Sequence, residues 1–124
     1  MNLRRKVKQS SFYREYVRVL NGILELSPRE IEIFSLLLRI DYEWRPILPG
    51  DIKNILSSDN RKRVMRETLV NKNNLTKYIN TLKEKGLVIN TEEGGWQVAP
   101  QLLPNMVSGV VRILFILDTN ETNR

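Results

Sequence analysis

The chain has 124 residues, of which 41% are hydrophobic and 27% are charged, and its formal net charge is +6. This length accommodates one domain with a real core, but not two. Cysteine and histidine are both absent, which excludes disulfides, thiolate or imidazole metal ligands and a histidine general base. Because the carboxylates are scattered and no glycine-rich phosphate loop is present, we expect a non-enzymatic protein without cofactor or metal.

The positive charge is concentrated in two blocks. Residues 1–23 carry six Lys or Arg and one Glu, and residues 61–85 carry eight Lys or Arg and two Glu. Such clustering is expected of a phosphate-binding surface, although a solvated basic surface has the same composition.

No run approaches the roughly 18 apolar residues that a membrane span needs. The basic start of the chain is not followed by an apolar stretch, so we do not expect a secretory signal. The expectation is a cytoplasmic protein with no membrane partner, in a bacterial or phage-infected cell.

The first part of the chain predicts two helices. Apolar residues in 12–24 recur at helical spacing, but they are rich in β-branched and aromatic types, so a strand over 13–20 stays open. Ser27, followed by proline and then by Glu30, predicts a capping box and a core helix that extends to about residue 42.

Three further helices are predicted after a proline-containing loop. The apolar spacing of residues 51–56 predicts a short helix, and the capping residues after it begin a helix over about 60–68. Asn71 is the expected cap of a helix over 72–85. Gly86 then stands where a helix ends in the left-handed conformation.

Residues 87–90 and 96–99 predict the two strands of a hairpin with glycines at its tip. Strand alternation places Trp96 and Val98 on the inner face and Gln97 toward solvent. We therefore interpret Trp96 as a core anchor at the base of the hairpin, with a stacking platform as the alternative.

Residues 110–117 give the strongest strand pattern, apolar on both faces except for Arg112, and such a strand needs cover on both sides. Its candidate partners are the preceding hairpin, residues 13–20 if these are extended, or a second subunit. A homodimer through this strand or the N-terminal segment therefore stays open. Residues 118–124 are a polar tail.

The helix predicted over 72–85 has an apolar side and a polar side. At 100° per residue, the apolar side comprises Leu75, Tyr78, Ile79 and Leu82, and the polar side comprises Asn73, Lys77, Asn80 and Glu84, flanked by Thr76 and Thr81. Asparagine bridges the N6 and N7 atoms of adenine, and lysine reaches guanine acceptors or phosphate. This side is suited to a DNA major groove, and an ordinary solvated helix face is the alternative.

The preceding helix adds positive charge to the same region. Lys62, Arg63 and Arg66 are expected to share one face of it. A basic first helix that crosses the phosphate backbone is the positioning half of a helix-turn-helix.

Several segments resemble the turn, second helix and first wing strand of the winged helix-turn-helix domains of bacterial and bacteriophage regulators. They are Arg66 to Leu69, Val70–Asn71, Asn74–Leu75, Tyr78–Ile79 and Leu82 to Val88. The resemblance covers residues 27–99. It implies a mainly α fold with a small β-sheet (α+β), in one winged-helix domain over 11–117. Residues 1–10, rich in Lys and Arg, are expected to form a basic flexible arm before this domain.

Within that domain, the resemblance implies a helix-turn-helix at about 59–85 and a wing at about 87–99. It also implies a transcriptional regulator that reads the major groove of double-stranded DNA with helix 72–85. The candidate DNA-binding residues are Lys62, Arg63, Arg66, Asn73, Asn74, Thr76, Lys77 and Asn80.

The tip of the hairpin carries Glu92 and Glu93, where the family commonly has Arg or Lys, and phosphate repels carboxylates. The alternative function is a winged-helix protein-interaction module, such as a phage factor acting on host transcription or replication machinery. Its protein partner would bind at the wing or at residues 44–58.

Overall fold

The computed structural model describes residues 11–44, 50–107 and 110–112. In these ranges the chain forms four α-helices, a short 3₁₀ helix and two small antiparallel sheets. The elements are α1 (Phe12–Leu24), α2 (Pro28–Glu43), α3 (Ser58–Thr68), α4 (Lys72–Glu84), β1 (Val88–Asn90), β2 (Trp96–Val98), the 3₁₀ helix (Pro100–Leu102), β3 (Asn105–Val107) and β4 (Val110–Arg112). The expected mainly helical α+β class is confirmed. The predicted arm and polar tail lie outside the described residues.

The first segment is a helix, not a strand. Tyr16, Val17, Leu20 and Leu24 of α1 are buried at helical spacing against the core, so one stripe of the helix is apolar. The hydroxyl of Tyr16 donates a hydrogen bond of 2.8 Å to the carbonyl of Leu102. This bond ties α1 to the 3₁₀ helix.

Helix α2 is the centre of the core and begins at the predicted capping box. The Glu30 amide donates to the Ser27 hydroxyl at 3.3 Å, and the Ser27 amide donates to the Glu30 carboxylate at 2.8 Å. The helix contacts α1, α3, α4 and β2. Its apolar side chains Ile33, Phe34 and Leu38 are completely buried.

The short helix predicted over 51–56 is wrong, since these residues are irregular and then turn. The Ile55 amide donates to the Trp96 carbonyl at 3.0 Å, so the segment lies beside β2. Ile55 is buried but Ile52 is half exposed. The apolar spacing of these residues fits one helical turn, but their hydrogen bond to a distant strand is incompatible with that helix.

Helices α3 and α4 are confirmed, with ends that differ from the prediction by one or two residues. The Ser57 hydroxyl caps α3 by accepting from the Asn60 amide at 3.3 Å. The Asn71 side chain caps α4 by accepting from the Asn74 amide at 2.8 Å. Gly86 has a φ of 75°, as expected for the residue that ends a helix in the left-handed region.

The predicted hairpin is present, with Val88 opposite Val98 and Asn90 opposite Trp96. Val98 is fully buried, and both Trp96 and Gln97 are partly exposed.

The second sheet corrects the partner expected for the 110–117 segment. β4 pairs with β3, with Asn105 opposite Arg112. For residues 110–112, the expected pairing with the first hairpin or with residues 13–20 is therefore wrong. A partner close in sequence closes a short loop at small entropic cost. Residues 113–117 lie outside the described residues, and pairing with a second subunit stays a prediction.

Candidate nucleic-acid interface

Helix α4 has the two-sided character that the sequence predicts. Leu75, Ile79 and Leu82 are at most 1% exposed and dock the helix on the core. Asn73, Lys77 and Asn80, on the opposite side, are exposed. The polar face is therefore presented by a helix that is fixed at its cap and along its length.

All the candidate residues of α4 reach solvent, but they differ in local bonding. Asn73, Asn74, Lys77 and Asn80 have exposed side chains. Thr76 is exposed too, although its hydroxyl donates to the Lys72 carbonyl at 3.0 Å. The Thr76 hydroxyl oxygen keeps its capacity to accept a hydrogen bond.

The three candidate cations of α3 do not have the same surroundings. Lys62 and Arg66 are exposed, whereas Arg63 is half buried. Arg63 donates to the Glu43 carboxylate at 2.7 Å and to the Glu67 carboxylate at 2.9 Å. Arg63 is thus turned toward the end of α2.

The ion pairs of Arg63 alter its titration and that of Glu43. The hydrogen bond to Glu43 raises the pKa of Arg63, with a further contribution from Glu67. In return, the hydrogen bond from Arg63 lowers the pKa of Glu43. Two carboxylates already balance the charge of Arg63, and its role in binding DNA stays a prediction.

Two cations outside the predicted set, Arg61 and Lys83, lie near each other close to the base of the hairpin. The Lys83 ammonium group lies 3.9 Å from the centroid of the Trp96 ring, and the Arg61 Nε donates to the Leu56 carbonyl at 3.0 Å. Burial lowers the pKa of Lys83, and the charge of Arg61 lowers it further. Both residues belong to the basic block of the sequence, but only the fold brings them together.

The hairpin tip is acidic and internally bonded. Glu92 and Glu93 are exposed, and the Gly95 amide donates to the Thr91 hydroxyl at 2.8 Å. Gly94 has a φ of 95°, a conformation that glycine adopts without strain. The tip therefore holds two carboxylates toward solvent.

Comparison of the chain with family models, with curated proteins and with solved structures found no match. Within residues 11–44, 50–107 and 110–112, no three acidic side chains are grouped so as to hold a metal ion. In the same part of the chain, no helix has both the length and the apolar character needed to cross a membrane.

Proposed function

We propose that the chain is a winged helix-turn-helix protein that binds duplex DNA and regulates transcription. In this proposal α3 and α4 are the helix-turn-helix, the β1–β2 hairpin is the wing, and α4 enters the major groove. The supporting arrangement is the short turn over residues 69–71 between two capped helices, followed by a hairpin that packs on the core.

One observation carries the proposal: the exposed side of α4 combines amides and a cation on a well-anchored helix. Asn73, Lys77 and Asn80 recur at intervals of three and four residues, which places them along one side. Asparagine reads adenine in the major groove, while lysine contacts guanine or phosphate. Lys62 and Arg66 on α3 add exposed positive charge for the phosphate backbone.

The proposal is tested by measuring, with fluorescence anisotropy, how the affinity for a pool of duplexes depends on salt concentration. Lys77→Ala should weaken binding to every duplex and reduce the slope of log affinity against log salt by about one. Asn80→Ala should weaken binding to the preferred site by about 1–3 kcal/mol with little change in slope. The preferred site is obtained beforehand by selection from a random duplex pool.

Arg14→Ala is the matched control, because Arg14 is an exposed cation on α1, outside the α3–α4 surface. It should change affinity less than Lys77→Ala does. If micromolar protein binds no duplex at low salt, DNA binding is excluded.

A protein-interaction module is the second candidate, and the turn residue Leu69 favours it. Leu69 is 84% exposed and lies on a groove lined also by Tyr13 and Leu36. The other lining residues of this groove are mainly polar or charged, so in this candidate Leu69 is the apolar centre of a contact surface with a polar rim. If the protein binds no duplex, and Leu69→Ser abolishes regulation of a reporter gene without unfolding the protein, the second candidate is supported.

A further inference from the structure

Arg61 and Lys83 form a pair of positive charges without an acidic partner. Neither side chain makes an ion pair with another described residue, in contrast to Arg63, which pairs with Glu43 and Glu67. Both are partly buried. Two neighbouring cations of this kind repel one another, and the repulsion is stronger where water is partly excluded.

Three contacts bring the pair to the same place. Arg61 donates to the carbonyl of Leu56, and the next residue back, Ile55, donates to the carbonyl of Trp96. The Trp96 ring in turn carries the ammonium group of Lys83 on its face. Lys83 therefore lies on Trp96, and Arg61 is bonded to the segment that is itself bonded to Trp96; a ring and a backbone carbonyl hold the two cations, rather than carboxylates.

The pair adjoins the polar side of α4. Thr76, Asn80 and Lys83 follow one another at intervals of four and three residues, so they line one edge of the helix. Arg61 of α3 is close enough to Lys83 for its charge to act on it. A ligand that lies along the polar side of α4 would pass beside both cations.

We propose that Arg61 and Lys83 are a phosphate clamp, which binds one backbone phosphate of duplex DNA beside the groove that α4 enters. This assignment rests on the proposed function. A phosphate between the two cations removes their mutual repulsion and forms charge-assisted hydrogen bonds with both. The Nε of Arg61 donates to the Leu56 carbonyl, so the two terminal nitrogens of its guanidinium can donate to phosphate oxygens.

The test is the salt dependence of duplex binding by Arg61→Gln and Lys83→Gln, compared with Arg63→Gln. Each clamp variant should lower the slope of log affinity against log salt, by about one at most because the pair neutralises one phosphate, and should weaken binding about tenfold at physiological salt. Arg63→Gln should have a smaller effect, because two carboxylates balance that charge. If the clamp variants keep the wild-type slope while Lys77→Ala lowers it, DNA binding stands and the clamp is excluded.

Arg61→Lys is a second variant in case Arg61→Gln fails to fold. This variant keeps the positive charge but lacks the guanidinium held by Leu56. Its slope of log affinity against log salt should stay close to that of the wild-type protein. A slope as low as that of Lys83→Gln would contradict a charge-based clamp.

A separate measurement tests the clamp if the protein binds no duplex at all. Inorganic pyrophosphate is titrated against a Trp44→Phe variant, in which Trp96 is the remaining tryptophan. Pyrophosphate should draw Lys83 from the ring and change the Trp96 fluorescence, and Lys83→Gln should abolish the change. An unchanged fluorescence would overturn the clamp independently of DNA binding.

Discussion

The carboxylate of Asp41 lies 2.7 Å from the ammonium group of Lys53, in a place where the Asp41 side chain is almost completely buried. Its second oxygen accepts a hydrogen bond of 2.9 Å from the Val98 amide. One acidic side chain in α2 therefore holds both the segment before α3 and the strand β2. The hairpin is positioned on the helices through this carboxylate.

Replacing Asp41 with alanine should destabilise the protein by about 3 kcal/mol, because the buried Val98 amide and the Lys53 ammonium group both lose their acceptor. Asp41→Asn should cost less, since its amide oxygen still accepts from Val98. Urea unfolding measures both values. Asp51→Ala is the control: Asp51 is exposed, and its replacement should change stability by less than about 0.5 kcal/mol. Equal losses for Asp41→Ala and Asp51→Ala would contradict this role.

Gly95 is required by the close approach of two chain segments. A Cβ at this position would overlap the carbonyl of Lys53, so Gly95→Ala should destabilise the protein by about 2 kcal/mol or more. Gly22 in α1 is exposed and has open space around it. Gly22→Ala should instead stabilise by about 0.5–1 kcal/mol. Thermal unfolding of the two variants should shift the midpoint in opposite directions, and a shift of the same sign would exclude this explanation.

Acid should weaken the contact between α2 and α3 at Glu43. Arg63 lowers the pKa of Glu43 in the folded protein, so the ionised carboxylate adds stability above the usual carboxyl pKa. That contribution is lost as the pH falls through the lowered pKa. Because Glu43 is 44% exposed, the effect should stay below about 1 kcal/mol.

The measurement compares urea midpoints of the wild-type protein and Glu43→Gln at pH 7 and at about pH 3. The difference between the two proteins should shrink on acidification. Arg63→Gln should flatten the same part of the pH profile. A difference that is equal at both pH values would show that the ion pair contributes no pH dependence.

The cap of α4 should matter for stability. Asn71→Ala removes the acceptor for the Asn74 amide and should cost about 1 kcal/mol, whereas Asn71→Asp should retain most of the stability. Urea unfolding of both variants measures the difference. Equal losses for alanine and aspartate would mean that the side-chain bond is unimportant.

The sequence predicts well those helix ends that local chemistry determines. The box of Ser27 and Glu30, the cap at Asn71 and the left-handed Gly86 all involve residues within a few positions of each other, so their bonds depend little on the rest of the fold. For α1, the local spacing of apolar residues is compatible with a helix and with a strand. Packing against α2 stabilises the helix.

Contacts between distant segments are what the sequence does not reveal. The bond from Ile55 to Trp96 places residues 51–56 beside β2 without helical structure, although their apolar spacing fits a helix. In the same way, Arg63 looks like a free cation in sequence until α2 brings Glu43 beside it. For the candidate site, the polar side of α4 follows from periodicity, but the meeting of Arg61 with Lys83 requires the fold.

The bond between Tyr16 and Leu102 joins residues separated by 86 positions. Helix α1 therefore cannot open without releasing the segment that follows the hairpin, so the two should behave as one cooperative unit in amide hydrogen exchange. Their amides should exchange with similar free energies of opening. The first helix is consequently protected from fraying by a part of the chain synthesised long after it.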